Sequence, residues 1–218
     1  MFDKRSTIRL DGIIAGCGFS SGDRFVAGIW KSGPLGPMND LMWAQPDGRK
    51  VLLVPDPEVG TFVGGIYSFD EVRVVPFDLV TSTSHRLHLR AGPVELDLFA
   101  VPGPRIFRLR PKWLRRTRTW VRVEDRLLRP IVGRFVLQGA AGVRGYGTSP
   151  SGVREWYAID HVNPVVWGDA SIDGRDLGAL GPVLPPVRFG FSEFPEKPAL
   201  VRCAPILDGA RPYLPKSS

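Results

Sequence analysis

The 218-residue chain has only two cysteines, Cys17 and Cys203, too few for a disulfide framework, and they can pair only if the two ends of the chain meet. Two buried, reduced thiols are therefore expected. No apolar run approaches the ~18 residues of a membrane span. The opening MFDKRSTIRLDG carries charges but no apolar core, so no signal peptide is expected and a cytoplasmic location is. The three histidines are His85, His88 and His161. With no third ligand at a recognisable spacing beside His85 and His88, no zinc site is expected. The chain has no phosphate-binding GxxxxGK[ST] loop and no Gly-x-Ser-x-Gly elbow, and Gly16-x-Gly18 lacks the third glycine and following helix of a dinucleotide fingerprint. No cofactor is expected.

What the chain has instead is punctuation. Twenty-five glycines and 21 prolines, spread without a period, mark many tight turns between short strands. Candidate strands recur along the chain: Thr7–Gly18, Phe25–Trp30, Asp40–Ala44, Lys50–Val54, Glu71–Leu79, Arg86–Arg90, the alternating Pro93–Val101, Phe135–Leu137, Val153–His161, Pro164–Ile172, Val187–Phe191 and Leu200–Cys203. Gln45-Pro46-Asp47-Gly48 reads as a hairpin turn. Asp56-Pro57-Glu58 reads as an N-cap, a proline at the first helical position and an acid in the first turn, opening a short helix to about residue 67. The pattern predicts one mainly β (α+β) domain over residues 1–218, an antiparallel barrel or sandwich, with the tail after about 208 loose.

The longest periodic segment is Pro111–Pro130, PKWLRRTRTWVRVEDRLLRP. Advanced by about 100° per residue, Trp113, Leu114, Trp120, Val121, Leu127 and Leu128 fall in one arc, and Arg115, Arg118, Arg122, Arg126 and Arg129 lie opposite. A basic amphipathic helix over about 112–129 is expected, its apolar arc on the sheet and its arginines outward. Between Arg105 and Arg134 stand eleven Arg or Lys against Glu124 and Asp125, a charge of +9. The other residues hold 18 basic and 20 acidic side chains, or −2, so the net +7 is local. Lys112, Arg115 and Arg116 crowd the helix N-terminus, where the macrodipole disfavours cations. Lys112, Arg115, Arg116, Arg118, Arg122, Arg126 and Arg129 are therefore candidate anion-binding residues. The candidate partners are an anionic membrane surface, met peripherally, or an acidic protein. Nucleic acid fits less well, because no aromatics interleave the arginines.

Two other features suggest a binding site. Glu124 falls inside the apolar arc, so it must be ion-paired, hydrogen-bonded or protonated. In Arg154–His161, alternation places Arg154, Trp156, Ala158 and Asp160 on one face and Glu155, Tyr157, Ile159 and His161 on the other, beside Arg144 and Tyr146. Glu124, Arg144, Tyr146, Arg154, Trp156, Tyr157 and His161 are thus candidate ligand-binding residues, lining an interior pocket for a small, largely apolar or amphiphilic ligand. Two other classes stay open: an enzyme using Glu124, Glu155 or His161 as acid or base in that pocket, and an adaptor docking through the arginine face.

Overall fold

The computed structural model describes residues 7–104, 111–127 and 143–210. Within these the chain is mostly β and forms a curled half-barrel sheet. β1 (Thr7–Arg9), β2 (Asp11–Phe19), β3 (Arg24–Ser32), β4 (Met38–Ala44) and β5 (Lys50–Val54) are followed by helix α1 (Pro57–Ile66). Next come β6 (Glu71–Val74), β7 (Phe77–Ser82), β8 (Arg86–Ala91) and β9 (Val94–Ala100), then α2 (Lys112–Arg115) and α3 (Arg118–Leu127). β10 (Tyr146–Thr148), the long β11 (Arg154–Ile172), β12 (Arg175–Asp176), β13 (Leu180–Gly181) and β14 (Ala199–Asp208) complete the order. The strands run β6-β5-β4-β3-β2-β14-β11-β9-β8-β7, with β1, β10, β12 and β13 as side pairings. Along this path all pairs are antiparallel except β5–β6. A parallel pair needs a crossover, and α1 supplies it.

Period-2 alternation explains both faces of the sheet. Ile13, Ala15 and Cys17 of β2, Phe25, Ala27 and Ile29 of β3 and Leu41 and Trp43 of β4 point to one side. There they pack against Leu87, Leu89, Leu96 and Leu98 of β8 and β9, which curl round to meet them. The intervening residues, among them Trp30, Met38, Leu52 and Val54, face the opposite way and pack against Val59, Phe62, Val63 and Ile66 of α1. Buried on both faces, β2 to β5 read as near-continuous apolar runs. The outer faces of β8 and β9 are solvated and laced by the pairs Arg86–Asp97 (2.7 Å) and Arg90–Glu95 (3.0 Å). Asp56 caps α1 by accepting from the amides of Glu58 and Val59, each at 2.9 Å.

β11 unites two segments that read separately in sequence. Its first half, to Pro164, pairs with β14, and from Val165 it pairs with β9. Pro164, which has no N–H to donate, falls at the handover. The apparent strand Glu71–Leu79 divides at Val75-Pro76 into β6 and β7. Val187–Phe191 is an irregular covering loop joined by a single Arg188–Glu193 bridge.

The basic segment differs from the expected single helix. It breaks at Arg116-Thr117, where the Thr117 hydroxyl accepts from the Trp120 amide (3.3 Å) and donates to the Leu114 carbonyl (2.8 Å), starting a new helix. Its orientation also differs. α3 packs through the buried Val121 onto Trp156, Ala158 and Ile206, while Trp113 is 75% exposed. Arginines meet the sheet: the Arg118 guanidinium stacks 4.7 Å from the Trp156 ring, and Arg122 lies 4.8 Å from the Tyr146 ring. Arg116 reaches Asp160 at 2.7 Å and Asp11 at 3.6 Å, and Arg118 lies 3.9 Å from Asp208. Arginine stacks on aromatic faces and pairs with carboxylates, so the sheet's own acids and rings take up cations expected to face solvent. Phe135–Leu137, Leu128, Arg129, the side chains of Lys112, Arg115 and Leu127, and the tail beyond Ala210 lie outside the described residues.

Candidate functional site

On the face of β2 to β4 turned away from the β8–β9 core lies a cavity of about 150 Å³. Its floor is Ile14, Val26, Gly28 and Met42, its wall is Phe62, Val63 and Ile66 of α1, and its cover is the loop from Val187 to Pro195. Three glycines seat the cover. A Cβ at Gly16 would overlap the Phe194 ring, one at Gly147 the Phe191 ring, and one at Gly190 the Tyr67 ring. The loop is pinned by Arg188 Nη2 to Glu193 Oε1 (3.0 Å), by the Ser68 amide to the Phe189 carbonyl (3.0 Å) and by the Arg144 amide to Ser192 Oγ (2.9 Å).

Within this apolar enclosure stand a few polar groups. Asp40 of β4, only 1% exposed, takes the row position between Met38 and Met42 and lines the cavity. Its Oδ1 accepts from the Trp30 indole N–H at 3.1 Å, and its Oδ2 has no partner among the described residues. Burial pushes its pKa up to about 7, and the Trp30 hydrogen bond pulls only weakly the other way. The second group is a ring of three. Tyr67 and Tyr157 both donate to Glu155 Oε2, at 2.7 and 3.0 Å, and their hydroxyls are 2.8 Å apart. Glu155 is completely buried, its Oε1 lacks a partner among the described residues, and burial carries its pKa up to about 7. Burial and the neighbouring Glu155 hold both tyrosines well above the ordinary tyrosine value. The two thiols are free and buried, and burial raises both. Chemically, the cavity can take an apolar body, with the Asp40 carboxyl and the two tyrosines as polar members of its lining.

Of the residues expected to bind ligand, Arg144 and Tyr157 line the cavity. The others are placed elsewhere. Tyr146 and Trp156 stack on one another at 5.2 Å on the opposite face of the sheet, beneath α3, and Arg154 pairs there with Asp208 at 2.7 Å. Glu124, half-buried on α3, is not a lining residue, because α3 packs on that opposite face. His161 is displaced from the Glu155–Tyr157–Ile159 row by a bulge at Asp160, and Val162 takes its place in the lining. Among the described residues no three of His, Cys, Asp or Glu converge as metal ligands. Asp40 escaped sequence reasoning although its signal was present: an acid alternating with Met38 and Met42 on a strand whose other face is apolar. No protein-family model and no curated protein matches this chain.

Proposed function

We propose that this protein binds a small, largely apolar ligand in the cavity between the sheet, α1 and the 187–195 loop. The observation that carries the reading is an apolar cavity of about 150 Å³ whose lining includes Asp40, a buried acid with one carboxyl oxygen unpartnered among the described residues. Empty apolar cavities of this size accept a single aromatic ring, and an unsatisfied buried polar atom is costly unless something meets it. The test is a titration with toluene followed by methyl NMR. Saturable shifts at Ile14, Val26, Val63 and Val187 with Val80 and Val166 unmoved support the reading. No saturable shift at the cavity methyls refutes it.

A second reading, an enzyme using the same groups, is favoured by Asp40 and Glu155, which both titrate near 7 in one apolar region, where a carboxyl group can give and take a proton. Recovering the bound ligand after incubation in D2O separates the two: deuterium at carbon marks proton transfer, and unlabelled ligand leaves binding alone. Docking through the arginine face forms no part of the proposal, because Arg116 and Arg118 are engaged by Asp160, Asp11 and Asp208. Among the described residues no helix is long and apolar enough to cross a membrane.

A further inference from the structure

The identity of the free carboxyl narrows the ligand class. Asp40 has no Lys, Arg or His paired with it among the described residues, although it sits deep in the fold. The buried acids on the α3 side of the sheet are answered by cations, Asp208 by Arg154 and Asp160 by Arg116, whereas Asp40, like Glu155, is met by neutral donors. At Gly28 a Cβ would lie 2.5 Å from Asp40 Oδ1 and 2.7 Å from Trp30 Nε1, so the glycine makes room for the Asp40–Trp30 hydrogen bond beside the cavity. The surrounding walls are aromatic, with Trp30, Phe62, Tyr67 and Phe194 among the lining residues. A carboxylate within aromatic faces suits a cation, which the charge attracts and the ring quadrupoles accept. An anionic ligand would meet Asp40 and Glu155 as like charges. A pure hydrocarbon would leave Asp40 Oδ2 unsatisfied.

We infer that the ligand is a small apolar amine whose ammonium group pairs with the Asp40 carboxylate and whose body lies among Trp30, Phe62, Tyr67 and Phe194. This rests on the cavity reading above. The other titratable groups around the cavity are Tyr67, Tyr157 and Cys203 in its lining, Glu155 behind the two tyrosines, and Arg144 and Glu193 beside the cover. Burial keeps the tyrosines and the thiol neutral in the relevant range. Glu155 titrates together with Asp40, so a variant of each is needed.

The experiment is calorimetric titration with benzylamine, benzyl alcohol and toluene between pH 5.5 and 8.5, on the wild type, Asp40→Asn and Glu155→Gln. Only ionised Asp40 pairs with the ammonium, so benzylamine should tighten about 30-fold across that range as a group of pKa about 7 loses its proton. Toluene should not gain in this way. Asp40→Asn should weaken benzylamine about 10- to 150-fold, the range of one charge-assisted hydrogen bond, and flatten its pH dependence while toluene still binds. Benzylamine binding no tighter than benzyl alcohol at pH 8 overturns the amine assignment and leaves the cavity reading intact. A pH slope that survives in Asp40→Asn and vanishes in Glu155→Gln also overturns it, because the cation then sits at Glu155. If none of the three ligands binds, the cavity reading itself fails. Should Asp40→Asn not fold, the ligand order and the wild-type pH profile decide.

Discussion

Glu155 should make the protein less stable as the solution becomes less acidic, the reverse of a paired surface carboxylate. Its folded pKa stands at about 7 against an ordinary 4.5, because the side chain is buried and only two tyrosine hydroxyls compensate. Between those values the folded state holds a proton that the unfolded state has released, so stability declines with pH. The contribution is fully present below about 4.5 and lost as pH rises through 7. At about 1.4 kcal/mol per pH unit the loss is roughly 3 kcal/mol. Glu155→Gln keeps the shape and an oxygen for a tyrosine to donate to, but removes the ionisation. The variant should therefore gain on the wild type by roughly 3 kcal/mol between pH 4.5 and 8. Urea unfolding at half-unit steps of pH reads the difference directly, and Asp40→Asn should show the same sign, since its pKa rises from 3.8 to about 7. A wild-type-to-Gln difference that stays constant, or that moves against the variant at high pH, would show Glu155 to be ionised and stabilised in the fold.

The remaining expectations concern packing. Trp156→Ala, which removes a fully buried ring from beneath Arg118 and Tyr146, should cost about 3–5 kcal/mol by denaturant unfolding. Trp113→Ala, at a 75% exposed position, should stay within about 0.5 kcal/mol. Gly16→Ala should displace the Phe194 ring and cost about 1–3 kcal/mol, with faster amide exchange across 188–195. Adding Phe194→Ala should recover part of that cost, and strictly additive effects would argue against the seat. Asp208→Asn, which loses its pair with Arg154, should lower stability by about 1–3 kcal/mol and speed exchange in β14.

The strands were legible because β2 to β5 are apolar runs bounded by turn signals and β6 to β9 follow period 2, and α1 because Asp56-Pro57 announces its start. The basic segment shows where such reading stops. A helical wheel separates two faces but does not say which one meets the sheet, and arginine is easily assigned to solvent. Here Trp156, Tyr146, Asp160 and Asp208 form a receptive surface for guanidinium groups, assembled from strands far away in sequence. The break at Thr117 depends on its hydroxyl capping a new helix, which the helical wheel does not register. At the cavity, the Glu155–Tyr157 face was readable from alternation, but the bulge that removes His161 is a property of the β11–β14 pairing. Tyr67 joins Glu155 across 88 residues of chain, a closeness that no local pattern records.

The most direct measurement of the central claim is a crystal structure of the purified protein soaked with bromobenzene. The account predicts an anomalous bromine peak inside the cavity, among Trp30, Phe62 and Phe194 and within reach of Asp40. Bromine found only at exposed apolar surface such as Phe99 and Trp167, with the cavity unoccupied, would contradict it.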